Sequence, residues 1–152
     1  MEYKQIDKRS YKLHLIKTDK FKTITVRCIF KEKINKEEIT IRNFLFELLL
    51  SSCKKYPSKR SFSIAKQELY DLNLYGNNTR IGNTFSTEIS ISMLENKYIN
   101  DDITMKGLEF LKEVIFNPNL EDNKDFRNNF NITKNYLLSY IKQGYDYPKS
   151  YS

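Results

Sequence analysis

Hydrophobic residues recur along this chain with two periods, and the points where the period changes divide it into elements. Near the start the period is two. Tyr11, Leu13 and Leu15 alternate with Lys12, His14 and Ile16, and Ile24, Val26, Cys28 and Phe30 alternate with Thr23, Thr25, Arg27 and Ile29. The polar turn Thr18-Asp19-Lys20 between the two runs predicts a hairpin with one buried face. The period then becomes helical. Ile41, Phe44, Leu45, Leu48 and Leu49 fall on one side of a helix that opens at Asn35, with Glu38 at capping-box spacing. Lys54 and Lys55 suit the negative end of that helix, and Pro57 stops it. A shorter helix over 61–72 follows.

Period two then returns over 74–80 and 84–94, on either side of Gly82-Asn83. In the second run Phe85, Thr87, Ile89, Ile91 and Met93 alternate with Ser86, Glu88, Ser90 and Ser92. Gly76-Asn77-Asn78 reads as turn chemistry before or within the first run. A polar loop over 96–102 leads to a helix with Thr104, Leu108, Leu111 and Ile115 on one face, broken by Asn117-Pro118-Asn119. The last helix, over about 122–143, carries Phe126, Phe130, Leu137, Leu138 and Ile141. The expected order is ββααββαα. Hairpins exclude a parallel βαβ sheet, so the expected fold is α+β: an antiparallel sheet with helices packed on one face.

Composition narrows the class. A chain of 152 residues with 39% hydrophobic and 14% aromatic residues can bury a core of its own, despite a mean hydropathy of -0.63. The net charge of +7 would suit nucleic acid, an anionic surface or an acidic protein. The lysines, however, are scattered among Glu and Asp, and no stripe of Arg with interleaved aromatics appears, which argues against nucleic acid. Cys28 and Cys53 form no CxxC pair, so neither a disulfide framework nor a zinc ribbon is indicated. No signal-peptide apolar region follows the polar first residues, and the longest apolar run, 44–50, is interrupted by Glu47 and too short for a bilayer. The chain reads as cytoplasmic. His14 is the sole histidine and, lying on a strand, reads as a surface or edge residue. No phosphate loop, dinucleotide fingerprint or G-x-S-x-G is present.

Three stretches carry a resemblance. K-K-Y-P-S-K (54–59), E-L-Y-D-L-N-L-Y-G (68–76) and F-N-P-N-L-E-D (116–122) are similar to signatures of the insulinase-like metallopeptidases, which include pitrilysin, insulysin and the mitochondrial processing peptidases. In particular the chain resembles the catalytically inactive bacterial members associated with aminopentanol modification of elongation factor P. The resemblance spans roughly 13–141 and implies the fold shared by LuxS-type metalloenzymes and insulinase-like peptidases. In that inverzincin family, H-x-x-E-H on a helix supplies two zinc ligands and a general base, and a Glu from a later helix completes the set.

Counted back from Lys54-Lys55-Tyr56-Pro57-Ser58, the motif positions fall on 43–47. Asn43 and Glu47 stand where the family has His, Phe46 stands where it has the general base, and the distal ligand position falls near Asn131. A phenyl ring cannot take a proton from water, and residues 127–141 contain no Asp or Glu to complete a metal site. The resemblance therefore implies a non-catalytic peptidase homologue with no cofactor, no bound metal and no membrane anchor. It implies that residues 1–152 form one repeat of a longer multi-repeat protein, that its partner is an active peptidase paralogue or a second copy, and that together they enclose unfolded peptide. Without the flanking signatures, 43–50 would read as a plain core helix. The alternative expectation is a basic α+β binding module for nucleic acid or an acidic protein.

Overall fold

The structure, a computed structural model, describes residues 1–146. The chain runs β1 (Glu2–Asp7), β2 (Lys12–Lys17), β3 (Thr23–Lys33), α1 (Ile39–Leu49), α2 (Lys59–Glu68), β4 (Asn73–Ile81) and β5 (Thr84–Leu94). A single 3-10 turn at Asn96–Tyr98 then leads to α3 (Ile103–Phe116) and α4 (Lys124–Asp146). The tail over 147–152, expected beyond the last helix, lies outside the described residues.

Three strands form the packed sheet in the order β3-β5-β4, all antiparallel. The register aligns Val26, Ile91 and Leu74 in one row and Cys28, Ile89 and Gly76 in the next. Because side chains alternate across a strand, these rows share one face with Ile24 and Met93. Onto that face pack Phe46 of α1, Phe62 and Ala65 of α2, and Ile103, Phe110, Leu111 and Val114 of α3. Ile91, Ile103 and Val114 are fully buried, each contributing about 1.5–3 kcal/mol of burial energy. The opposite face is polar: Ser90 lies in register between Arg27 and Tyr75, and Arg27 pairs with Glu88 at 3.8 Å.

Several expectations are corrected. The element order has an additional strand, β1, hidden by the polar alternation of E-Y-K-Q-I-D. β2 pairs with β1, not with β3, from Glu2↔Lys17 to Asp7↔Lys12. β3 pairs with β5 instead, because its apolar row completes the one that faces the helices. Every residue of β2 is exposed, so the expected buried face of a β2–β3 hairpin does not exist.

Helix α1 begins at Ile39, with Glu38 at the cap position and no side-chain cap bond. Asn35 holds a preceding turn: its side chain accepts from the Glu37 amide and donates to Glu38. The helix ends by Leu50, so Lys54 and Lys55 lie beyond it and Pro57 stands just before the Ser58 cap of α2. Ser58 caps α2 in a reciprocal bond pair with Ser61, an arrangement worth about 1 kcal/mol. The face of α3 is also rotated from its expected position. Ile103, Gly107, Phe110, Leu111 and Val114 are buried, whereas Leu108 is exposed and Thr104 bonds Asn96. Gly107 permits that rotation, since a Cβ there would lie 2.3 Å from the Met93 sulfur.

Candidate functional site

The three signature stretches are structural fasteners. The Lys54 amide donates to the Asn117 carbonyl at 2.8 Å, and Asn119 Nδ2 donates to the Pro57 carbonyl at 3.2 Å. Asn129 Nδ2, from α4, donates to that same carbonyl at 2.9 Å, and Lys54 pairs with Glu121. Thus 54–59 and 116–122 grip each other and tie in α4. The middle stretch makes the sharp turn from α2 into β4, with Tyr70 and Asp71 both left-handed at φ 56° and 57°, a conformation costing such residues about 1–2 kcal/mol each. It then buries Leu72 and runs into Gly76. Asn129 is almost fully buried, and among the described residues its Oδ1 has no hydrogen-bond partner.

These fasteners hold α1 and α4 beside β4, and a groove of about 650 Å3 opens among the three elements. Asn43, Phe46 and Glu47 all line it. The three motif positions are therefore brought together at one site.

What they do there is structural. Phe46 is buried against the sheet, directly over Gly76: a Cβ on Gly76 would lie 2.5 Å from Phe46 Cζ and 2.6 Å from the Glu88 carbonyl oxygen. The ring thus occupies the space a side chain at 76 would need, and Gly76 sits inside β4 rather than in a turn. Asn43 Oδ1 accepts from Asn78 Nδ2 at 2.8 Å, which turns the amide oxygen toward β4. Asn78 Oδ1 is buried without a partner among the described residues. Glu47 remains as a single carboxylate. Asn131 is exposed on α4 and does not line the groove; Lys134, one turn further on, does.

A zinc ion therefore does not fit these residues. One amide is already bonded, one position is a phenyl ring, one carboxylate remains, and α4 contributes an ammonium where an acidic ligand would be needed. Among the described residues, no three His, Cys, Asp or Glu side chains stand close enough to share an ion. Burial raises the pKa of both the Cys28 and Cys53 thiols above the ordinary value, which disfavours the thiolate. His14 lies on β2 with its Nδ1 2.8 Å from the Tyr3 hydroxyl, exposed as expected of a surface residue and not lining the groove.

The remaining lining is apolar and aromatic. Phe44 packs on Phe130 at 4.8 Å between ring centroids, and Tyr136, Leu137, Tyr140 and Ile141 extend the wall along α4. Sequence periodicity found Leu137 and Ile141 but missed Tyr136, Tyr140 and Gly76. The tyrosines fall outside a strict helical stripe, and Gly76 carries meaning only once Phe46 is placed above it.

No family model matches the chain. It is 29% identical over 110 residues, 71% of its length, to a protein of Bacillus subtilis (strain 168) named "Probable inactive metalloprotease YmfF". It superimposes with a TM-score of 0.90 and 26% identity on the crystal structure of a conserved protein from Enterococcus faecalis V583, over 98% of its own residues. The chain spans about a quarter of the first relative's length, 26%, and 36% of the second. Among the described residues no helix is long and apolar enough to cross a membrane.

Proposed function

We propose that this chain is a non-catalytic, insulinase-like metallopeptidase domain, one repeat of a longer cytoplasmic protein, whose groove binds unfolded peptide. The observation that carries this reading is Phe46 seated on Gly76 at the groove floor, where the family it resembles places a general base facing zinc. The apolar walls suit extended polypeptide. Among the described residues, the outer edge of β4 carries no strand, so its unpaired amides and carbonyls could hold such a peptide by strand addition. Pairing with an active paralogue would then bring a peptide held here to a partner's zinc.

The test is fluorescence anisotropy with a labelled, unstructured 20-residue peptide rich in Leu and Phe, alongside elemental analysis after dialysis against zinc. Saturable binding is expected, with a Tyr136→Ala/Tyr140→Ala double variant weakened on the order of tenfold. Both rings are more than half exposed, so the substitutions leave the fold intact. Stoichiometric zinc with peptide cleavage would overturn the non-catalytic reading, and unaltered binding by the double variant would overturn the groove. Co-elution with an H-x-x-E-H paralogue, and a rise in its peptidase rate, tests the pairing.

A further inference from the structure

One charge in the groove is left over. Glu47 lies one turn after Asn43 on α1, on the stripe that Asn43 directs toward β4, and it is half-buried. Among the described residues it makes no ion pair. A carboxylate partly withdrawn from water without a cation beside it is unfavourable. The groove is also short of donors: Asn78 Oδ1, in the same lining, is a second acceptor without a partner among the described residues. That oxygen is buried, so Glu47 is the acceptor a ligand can reach.

The lining also holds one ammonium, Lys134, but the two charges are not equivalent. Lys134 is exposed on α4, where water and salt screen it; Glu47 is half-buried, and its field is screened less. Around them the wall is apolar, with Phe44, Leu137 and Ile141, and carries the rings of Tyr136 and Tyr140. A side chain that is apolar along its stem and cationic at its tip matches that combination. The stem lies on the apolar wall, and the head takes the carboxylate and the aromatic faces.

We infer that Glu47 makes the groove selective for a peptide segment with a basic residue, whose guanidinium or ammonium pairs with the Glu47 carboxylate. This rests on the groove being a peptide site, and it names the side chain that reads the peptide's sequence. The basic residue is internal to the peptide. Gly76, beside Phe46 at the groove floor, is the fourth of nine residues in β4, so a strand added along that edge continues on both sides of it. The net charge of +7 opposes any basic peptide from a distance. That repulsion is screened beyond about 8 Å at physiological salt, so the preference is a contact effect and survives added salt.

The experiment is fluorescence anisotropy of the full chain with unstructured peptides rich in Leu and Phe, acetylated at the N-terminus and labelled at the C-terminus. They differ only at one central residue: arginine, its neutral isostere citrulline, or glutamate. The arginine peptide is expected to bind about tenfold more tightly than the citrulline peptide. That ratio should hold between about 50 mM and about 300 mM salt. Glu47→Gln, which keeps the size of the side chain and breaks no ion pair of the fold, should bring the arginine peptide down to the citrulline affinity. The inference is overturned if the glutamate peptide binds most tightly, which would make Lys134 the selecting charge, or if the arginine preference persists in Glu47→Gln. A citrulline peptide with a free N-terminal amine that binds as well as the arginine peptide would overturn the internal placement. Equal binding by all three peptides overturns this inference alone and leaves the groove a peptide site; no binding by any of them overturns both.

Discussion

β5 and β2 carry the same alternating pattern and have opposite fates. In β5, Ile89, Ile91 and Met93 are covered by three helices on one side, and Ser86 and Ser90 are shielded by neighbouring strands on the other. In β2, Leu13 and Leu15 stand in solvent. Alternation specifies an extended strand in both; it does not specify what lies over the apolar side. Burial comes from β5 being the central strand, with a partner on each edge and helices above, while β2 has only β1.

Amide exchange should show this contrast most strongly. Amides of β5 are expected to open only with global unfolding, and those of β1 and β2 by local opening. For a domain of ordinary stability the protection factors should differ by about a thousandfold or more. Comparable protection in the two regions would mean the hairpin is held by something beyond its own pairing. Next in size, Ile91→Ala should cost about 3 kcal/mol in urea denaturation, whereas Leu15→Ala should stay within about 0.5 kcal/mol. Equal losses would erase the distinction.

Gly76→Ala probes the floor of the groove at the edge of the packed sheet. It should cost about 1–3 kcal/mol, since the new methyl meets both the Phe46 ring and the Glu88 carbonyl. The same change in a Phe46→Leu background should cost less, because one of the two obstacles has retreated. Asn129→Ala should cost about 1 kcal/mol, as Asn119 still donates to the Pro57 carbonyl. A loss above that of Gly76→Ala would make the clasp, rather than the aromatic floor, the main support of the site.

The smallest effect concerns an exposed pair that should behave like the hairpin. Lys54 bonded to Glu121 holds that carboxyl below its ordinary value of 4.5. A depressed carboxyl adds stability above the unfolded value and loses it as pH falls through the folded one. Glu121→Gln should therefore lower the urea midpoint slightly at pH 7 and leave it unchanged at pH 2. A larger change at pH 2 would reverse the sign.

Much of the architecture was legible along the chain. β4, β5 and the four helices stand close to where periodicity places them, and the signatures at 54–59, 68–76 and 116–122 point to the same α+β arrangement. The groove was legible only in part. Asn43, Phe46 and Glu47 converge, but Asn131 does not join them, because a shift of one turn along α4 brings Lys134 to the groove instead. Local pattern also misplaced the buried faces of α1 and α3, where Phe46 and Phe110 face the core rather than Ile41 and Leu108. Helical periodicity leaves the rotation of a helix open to neighbouring stripes, and Gly76 and Gly107 settle it by making room for one particular ring or side chain.

The sequence by itself determined the residue types at the three motif positions, the antiparallel class and the net charge, because these depend on identity and spacing alone. Only the tertiary structure decided that β2 pairs with β1, that Phe46 rests on Gly76, and that Asn43 bonds Asn78. Strand partnership and contact across a sheet arise between segments far apart along the chain, and no local period encodes which of them meet.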